Sequence, residues 1–478
     1  MKKVLLFLFI LSFATYAIAQ STYKTPGVYI EEISTLPASV AEVETAIPAF
    51  IGFTEKGAAN QPILIESTTD YKKHFGGAFK ASFDVQLQTS AGYKDVDHIT
   101  RTSEDHFYLH YAIQHFFLNG GKKCYIIPAG NYEDRNTATG LSRFSMALSA
   151  IEEIDEVTIL VFPDALFLSH SEYYEVVDEA LTQCSDLGDR FTLVDIHTSD
   201  LTNTSAIKTE LKTGQNFRNA NLDLQNLMYG AAYTPHLVTR YQYRYDVYDV
   251  AINLAGMTGV TMGDQSFRQN NPVLFEKIEL MIGRMNITLP PSAAMAGIYS
   301  KVDGFNGVWK APANISIKGV NALSAEVTAS ASNNLNVDTN SGKSINAIRR
   351  FIGRGMLVWG SRTLAGNDNE WRYIPTRRTF NMVEESIKKS TFYAVFEQND
   401  ANTWSEVRGV INNYLTDLWR KGALAGVKPE EAFYVKVGLG ETMTAQDVLE
   451  KRMIIEIGMA MHRPAEFVTL RITHLMEN

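Results

Sequence analysis

The sequence predicts an α/β region followed by a C-terminal α+β module, with extended segments at both ends. Three observations predict it. From residue 145 short apolar strands alternate with amphipathic helices, the rhythm of a parallel sheet covered by helices. From residue 381 capped helices are followed by two strands. Near the start, YKTPGVYIEE (23–32) reads as a strand with no local partner.

The chain has 478 residues, too many for one compact core, so about three domains or a core with large insertions are expected. Forty-four basic residues face 53 acidic ones, a net charge of -9, which argues against a protein that tracks nucleic-acid phosphates. Cys124 and Cys184 give neither a disulfide framework nor a zinc spacing and read as buried thiols.

The elements follow in order. Residues 1–20 look like a secretory signal. Lys2 and Lys3 precede an apolar run from Val4 to Ala19, and Ala17-Ile18-Ala19 offers small residues to a peptidase. Beyond it no apolar run is long enough to span a membrane. Residues 21–45 form an extended arm. Pro26 keeps Thr25 extended, Gly27 permits a turn, and Tyr23, Val28, Tyr29, Ile30 and Glu31 belong to a strand that seeks a sheet edge elsewhere. AIPAFIGFTEKG (46–57) and ILIES (63–67) are candidate strands. Residues 105–130 read as a helix, a Gly120-Gly121 stop and a strand. VTILVFPD, RFTLVDIH and MYGAAYTPHLV continue the buried strands. Polar segments 80–104 and 198–222 read as loop insertions, and 290–345, rich in Ser, Asn, Ala and Gly, as a surface connection. The α/β region thus covers 46–345 and the C-terminal module 346–478.

In that module Asn381 and Glu384 suggest a capping box, and Glu384–Lys388 and Glu385–Lys389 are favourable pairs. A second helix carries Trp404, Val407, Ile411, Tyr414 and Leu418 on one stripe and closes at Gly422. Thr444 and Asp447 cap a third, and the strands RMIIEIGMAMH and EFVTLRI are split by Pro464.

Signals of chemistry are poor. NSGKS (340–344) ends like a phosphate-binding loop, but Val337 stands where the wrap needs glycine. His106, His110 and His115 share a helix, yet no third ligand is marked and the aromatic neighbours favour packing. Asp164, Asp195 and His197 lack a G-x-S-x-G elbow to deliver a nucleophile. No catalytic residue, metal or cofactor is therefore expected. Arg349, Arg350, Arg354, Arg372, Arg377 and Arg378 pair with nearby acids, or else face an acidic partner, as do Arg408, Arg420 and Lys421 off the helical stripe.

Several blocks resemble the phage tail sheath family. They are YKTPGVYIEEI…SVAEVETAIPAFIGFTEKG, FFLNGGKKCYIIPAG, PPSAAMAGIYSKVDGFNGVWKAPAN (290–314), INAIRRFIGRGMLVWGSRTLA (345–365), WRYIPTRRTFNMVEESIKKST (371–391), FEQNDANTWSEVRGVINNYLTDLWRKGALAG and IEIGMAMHRPAEFVTLRI. They occur in the family's order over nearly all of residues 22–475. The resemblance implies an outer, subtilisin-like α/β domain without a working triad, inserted before a C-terminal sheath domain that faces an inner tube. It implies N- and C-terminal arms that pair with neighbouring subunits as added strands. Carried over, Tyr23 to Glu32 is the donor arm and the strand after Pro464 lies near its acceptor, with Arg408, Arg420 and Lys421 expected to face the tube. The implied partners are further copies in a helical polymer, an inner tube protein, and baseplate and tail terminator proteins. No nucleic acid or small-molecule substrate is expected. Members usually begin near Ser21 or Thr22, so the signal-like segment departs from the pattern. Assembly with tube and baseplate favours the cytoplasm; an exported self-associating protein reusing the fold is the alternative, and a degenerate hydrolase is a third.

Overall fold

Strand β1 (Pro48–Thr54), PAFIGFT, is buried at every position because both of its faces are covered. Phe50 joins an apolar cluster on one face, while Ala49, Ile51 and Phe53 join another on the opposite face. A strand buried on both faces is an unbroken apolar run, as parallel sheets require. A computed structural model describes residues 40–475, apart from 91–92, 104–106, 137–139, 200, 202, 255–256 and 463–466.

Beside β1 lie β2 (Ile63–Ile65), β5 (Cys124–Asn131), β6 (Ile159–Val161), β7 (Phe191–Asp195), β8 (Gly230–Thr234), β14 (Ile345–Phe351) and β15 (Gly355–Trp359). They form an eight-stranded sheet in the order β15-β14-β8-β7-β6-β1-β5-β2. β2 and β15 run antiparallel at its two edges and the rest are parallel. Helices α1 (Thr68–Phe75), α2 (Leu109–Leu118), α3 (Gly140–Glu152) and α4 (His170–Leu187) come from the first half of this layer. α4 opens with a capping box between Ser169 and Glu172 and ends at Gly188 in the left-handed conformation.

Residues 80–104, read above as a loop, instead form β3 (Phe83–Ser90) and β4 (Tyr93–Arg101). Phe83, Val85 and Leu87 alternate with polar residues and are buried; β3 pairs with β4 as a local hairpin and with β10 (Val250–Leu254) far along the chain, and the polar face masks the alternation in the sequence. Residues 198–222 hold helices α5 (Thr204–Thr213) and α6 (Gln215–Asn219), which bury Leu211 and Phe217. Beyond β8, β9 (Leu237–Gln242) carries its own small sheet, β10 (Val250–Leu254) and β11 (Met257–Thr261) complete the sheet of β3 and β4, and α7 (Gln265–Asn270) and α8 (Pro272–Gly283) precede β12 (Asn286–Leu289). The two smaller sheets run β11-β10-β3-β4 and, with β13 (Val320–Leu323), β12-β9-β13.

The expected surface connection 290–345 is likewise structured. It holds α9 (Ser292–Asn306), β13 (Val320–Leu323) and α10 (Ala329–Asn336). Its small residues read as a linker, but in α9 they permit close approach. Ala293 to Tyr299 are all buried, and a Cβ on Gly297 would lie 2.5 Å from the Phe116 carbonyl oxygen. The large sheet also runs on past residue 345, through β14 and β15 to Trp359.

The remainder builds a separate apolar cluster from α11 (Ile374–Ser390), α12 (Ala401–Arg420), α13 (Pro429–Ala432), α14 (Ala445–Leu449) and a sheet ordered β16-β17-β18. Those strands are β16 (Phe433–Lys436), β17 (Arg452–Ala460) and β18 (Phe467–Leu475). Asn381 is not a cap. α11 begins two turns earlier with Pro375 in its first turn, where no N–H is needed, and Asn381 sits in its interior.

Candidate functional site

The C-terminal core is assembled on α12. Asp400 caps it by accepting from the N–H groups of Asn402 and Thr403. Val407, Ile411, Tyr414 and Leu418 are buried as the stripe predicts, and Gly422 follows at φ 80°. Thr444 and Asp447 form the expected reciprocal cap of α14. β17 pairs antiparallel with both β16 and β18, so β18 is the last strand of its sheet among the described residues. An edge strand presents unpaired backbone groups to an added strand.

The three cations expected to face a tube all lie on or just after α12, but each has an intramolecular partner. Arg408 meets Glu441 at 2.6 Å and also donates to the Val437 carbonyl. Arg420 meets Asp417 at 3.3 Å, and Lys421 meets Glu42 at 3.0 Å. Arg420 and Lys421 keep more than half of their side chains exposed, so these pairs are solvated and leave the charges open to a partner. The arm residues Tyr23, Val28, Tyr29, Ile30 and Glu31 lie outside the described residues.

Where the described chain begins, Val40 is buried in the C-terminal core and residues 41–47 run beside α11. Ala41 N–H donates to Ser390 Oγ at 3.1 Å and Val43 N–H to Ser386 Oγ at 3.0 Å. The Thr45 hydroxyl donates to Asp303 at 2.6 Å, and the Thr45 carbonyl accepts from Arg378 at 2.8 Å. Arg378 in turn grips Asp303 at 2.6 Å and stacks over Tyr299 at 4.5 Å. One buried clasp therefore joins the N-terminal segment, α9 and α11. Sequence reading placed Arg378 in a basic cluster but had no signal for Asp303, Thr45, Ser386 or Ser390.

Of the remaining basic residues, Arg350 is exposed, and Arg349, Arg354, Arg372 and Arg377 are engaged in the fold. Arg377 stacks on Trp371 at 4.2 Å and reaches Glu384 at 3.9 Å. Arg349 donates to the Val327 carbonyl, Arg354 to Asn314, and Arg372 to the Asp368 carbonyl. Of the two expected helical pairs, Glu385–Lys389 forms at 3.2 Å, whereas Glu384 turns to Arg377.

The residues weighed for chemistry serve the fold in the same way. Asp164 accepts from the N–H groups of Phe53, Tyr108 and Leu109, tying β1 to the start of α2. Asp195 accepts from the N–H and hydroxyl of Ser292 and so caps α9. Burial pushes both carboxyls up to about 7 against these donors. His197 bonds the Leu168 carbonyl at 2.8 Å. Lys343 donates to the carbonyls of Arg218 and Ala220 and is 3% exposed, a fastening of the loop rather than a phosphate ligand. His110 and His115 are buried, and burial lowers both to about 4. His106 is outside the described residues, and among those residues no group of three or more His, Cys, Asp or Glu could hold a metal. Cys124 and Cys184 are buried free thiols, as expected, and burial raises both. No helix among the described residues is long and apolar enough to cross a membrane.

Residues 366–474 match the family model of the phage tail sheath C-terminal domain. The tail sheath protein of Vibrio phage KVP40 is 28% identical over 142 residues, 29% of this chain and 20% of that protein. The match thus spans about a fifth of the length of that curated relative. Two solved structures align over nearly the whole chain. One is the PVC sheath complex of an extracellular contractile injection system in the contracted state, at 29% identity and TM-score 0.60, covering 95% of this chain and 98% of that one. The other is a chain of the anti-feeding prophage baseplate, at 30% identity and TM-score 0.60, covering 94% and 99%. The C-terminal core matches the family's own model, and the α/β body aligns over nearly its whole length with a chain of a sheath complex and a chain of a baseplate: this chain belongs to the tail sheath family.

Proposed function

We propose that the chain is the structural subunit of a contractile sheath. It polymerises helically around an inner tube and contracts to drive that tube through a target envelope. The observation that carries this reading is the near full-length likeness to a sheath complex in its contracted state. Repetition of one heterologous contact yields such a helix. The role needs no catalysis, cofactor, nucleic acid or small-molecule substrate, in keeping with buried carboxylates that cap helices.

In this reading the large sheet and its appended sheets form an outward, subtilisin-like domain, which the sequence bounded at 46–345 and which β14 and β15 extend to Trp359. The residues after that sheet, 360–478, contribute the tube-facing core and C-terminal arm, and 21–45 the N-terminal arm. Tyr23 to Glu32 adds as a strand to a neighbour near β18, whose place at the end of its sheet supports the assignment. Arg408, Arg420 and Lys421 face the tube protein. The baseplate is a further partner, supported by the likeness to a baseplate chain, and a tail terminator closes the far end. Assembly takes place in the cytoplasm, where tube and baseplate are made.

The alternative is an exported, self-associating protein on the same fold, favoured by the signal-like run from Lys2 to Ala19. Negative-stain microscopy of the chain from Gln20 onward, alone and with its tube protein, tests the sheath reading. Long hollow helical tubes are expected. Dispersed monomers in both preparations would overturn it, and periplasmic accumulation of a chain lacking residues 1–19 would establish export.

A further inference from the structure

Residues 40–47 are held by side chains rather than by a strand ladder, and their two halves are held unequally. At the inner end, Thr45 is bound to both members of the Arg378–Asp303 pair. Ile47 is 3% exposed, and its N–H donates to Thr158 Oγ1 at 2.8 Å. At the outer end only Val40 is buried, while Ala41, Glu42 and Glu44 are exposed. The outer half is fastened by two neutral hydrogen bonds, to Ser390 and Ser386, and by two partly exposed ion pairs, Glu42–Lys421 and Glu44–Lys123. These are among the weaker interactions a fold can use. Two clefts, of about 230 and 820 Å³, border the segment, and Val43, Glu44, Thr45 and Ile47 line both. Its apolar packing is limited to Val40 and the half-buried Val43 against the C-terminal core, and a segment held by so few contacts opens locally at a small fraction of the global stability.

We propose that residues 40–44 are a releasable strap, hinged at Thr45 and caught by Ser386 and Ser390. Its release lengthens the tether of the N-terminal segment while both cores stay folded. Five freed residues at about 3.3 Å each add roughly 16 Å of reach. The inference rests on the sheath reading: a lattice that changes subunit spacing without losing its links needs slack. Here the slack is stored as chain laid down on α11. The clasp at Thr45 sets how much can be let out, because its charged pair is almost wholly buried.

Two experiments on the full chain test this, and the first is independent of assembly. Hydrogen exchange of the unassembled protein should show the Ala41 and Val43 amides exchanging about tenfold or more faster than the Ile47 amide. Equal protection at all three would overturn the strap. The second joins the catch covalently with Ala41→Cys and Ser390→Cys, at a site where the Ala41 nitrogen already lies 3.1 Å from the Ser390 side chain. The native thiols are buried and do not compete. Oxidised sheaths should assemble but stay extended when contraction is triggered, and reduction should restore contraction. Equal contraction in both redox states would overturn the proposal. If neither wild type nor variant builds a sheath, the sheath reading fails, and the exchange result alone decides the strap.

Discussion

Arg378 on α11 and Asp303 on α9 are 75 residues apart in sequence and 2.6 Å apart in space, with side chains only 4% and 6% exposed. Removing one partner of a buried pair strands the other charge in the interior. Asp303→Ala is therefore expected to destabilise the protein by about 3–5 kcal/mol, and Asp303→Leu with Arg378→Met by markedly less. Urea midpoints of the three proteins check this. A double variant as unstable as the single would show that the loss lies in packing, not in the orphaned charge.

The Asp195 carboxyl makes stability depend on pH. Burial raises it from 3.8 in the open chain to about 7 in the fold. Between those values the native state holds a proton that the unfolded state has released. The contribution is full below about pH 4 and is lost as pH rises through 7. Asp195→Asn should flatten the stability curve over that window relative to wild type, by a difference of order 2–4 kcal/mol. Parallel curves for the two proteins would mean that Asp195 is ionised throughout.

Gly297 lets α9 and α2 touch. Since a Cβ there would press on the Phe116 carbonyl oxygen at 2.5 Å, a backbone atom that cannot step aside, Gly297→Ala should cost about 1–3 kcal/mol despite its better helix propensity. Gly304, one helix end further on, meets only the tip of Lys122 at 3.2 Å, so Gly304→Ala should be neutral or stabilising. Thermal melts of the pair separate the two outcomes.

Reversal of Arg420 and Lys421 to Glu should leave the fold within about 1 kcal/mol of wild type, because both charges are largely solvated. It should abolish co-sedimentation with the tube protein. Unchanged co-sedimentation would remove both residues from the tube-facing surface.

What the sequence made legible was local. The short, mainly apolar runs of β1 and β7, the α12 stripe and the Thr444–Asp447 cap could all be read because each pattern closes within a few residues. Strands β3 and β4 pair locally as a hairpin, but they were missed because the polar residues that alternate with Phe83, Val85 and Leu87 made the segment read as loop, and the β10 strand that flanks β3 lies far along the chain. α9 was missed because small residues look like a linker until the helix they nestle against is known. The clasp was hidden for the same reason: Thr45 and Asp303 are 258 residues apart, and nothing near either names the other. The resemblance supplied the family, but not these contacts.

The appended sheet β11-β10-β3-β4 is made of two hairpins that leave the body at different points, one over 83–101 and one over 250–261, and they meet only where β10 joins β3. Neither hairpin has a second layer of its own, since Phe83, Val85, Val250 and Ile252 share one apolar cluster with α8. Such an outgrowth cannot be gained or trimmed one loop at a time. Removing either hairpin would uncover β3 or β10 and half of the shared apolar cluster, so an engineered replacement has to exchange both grafts together.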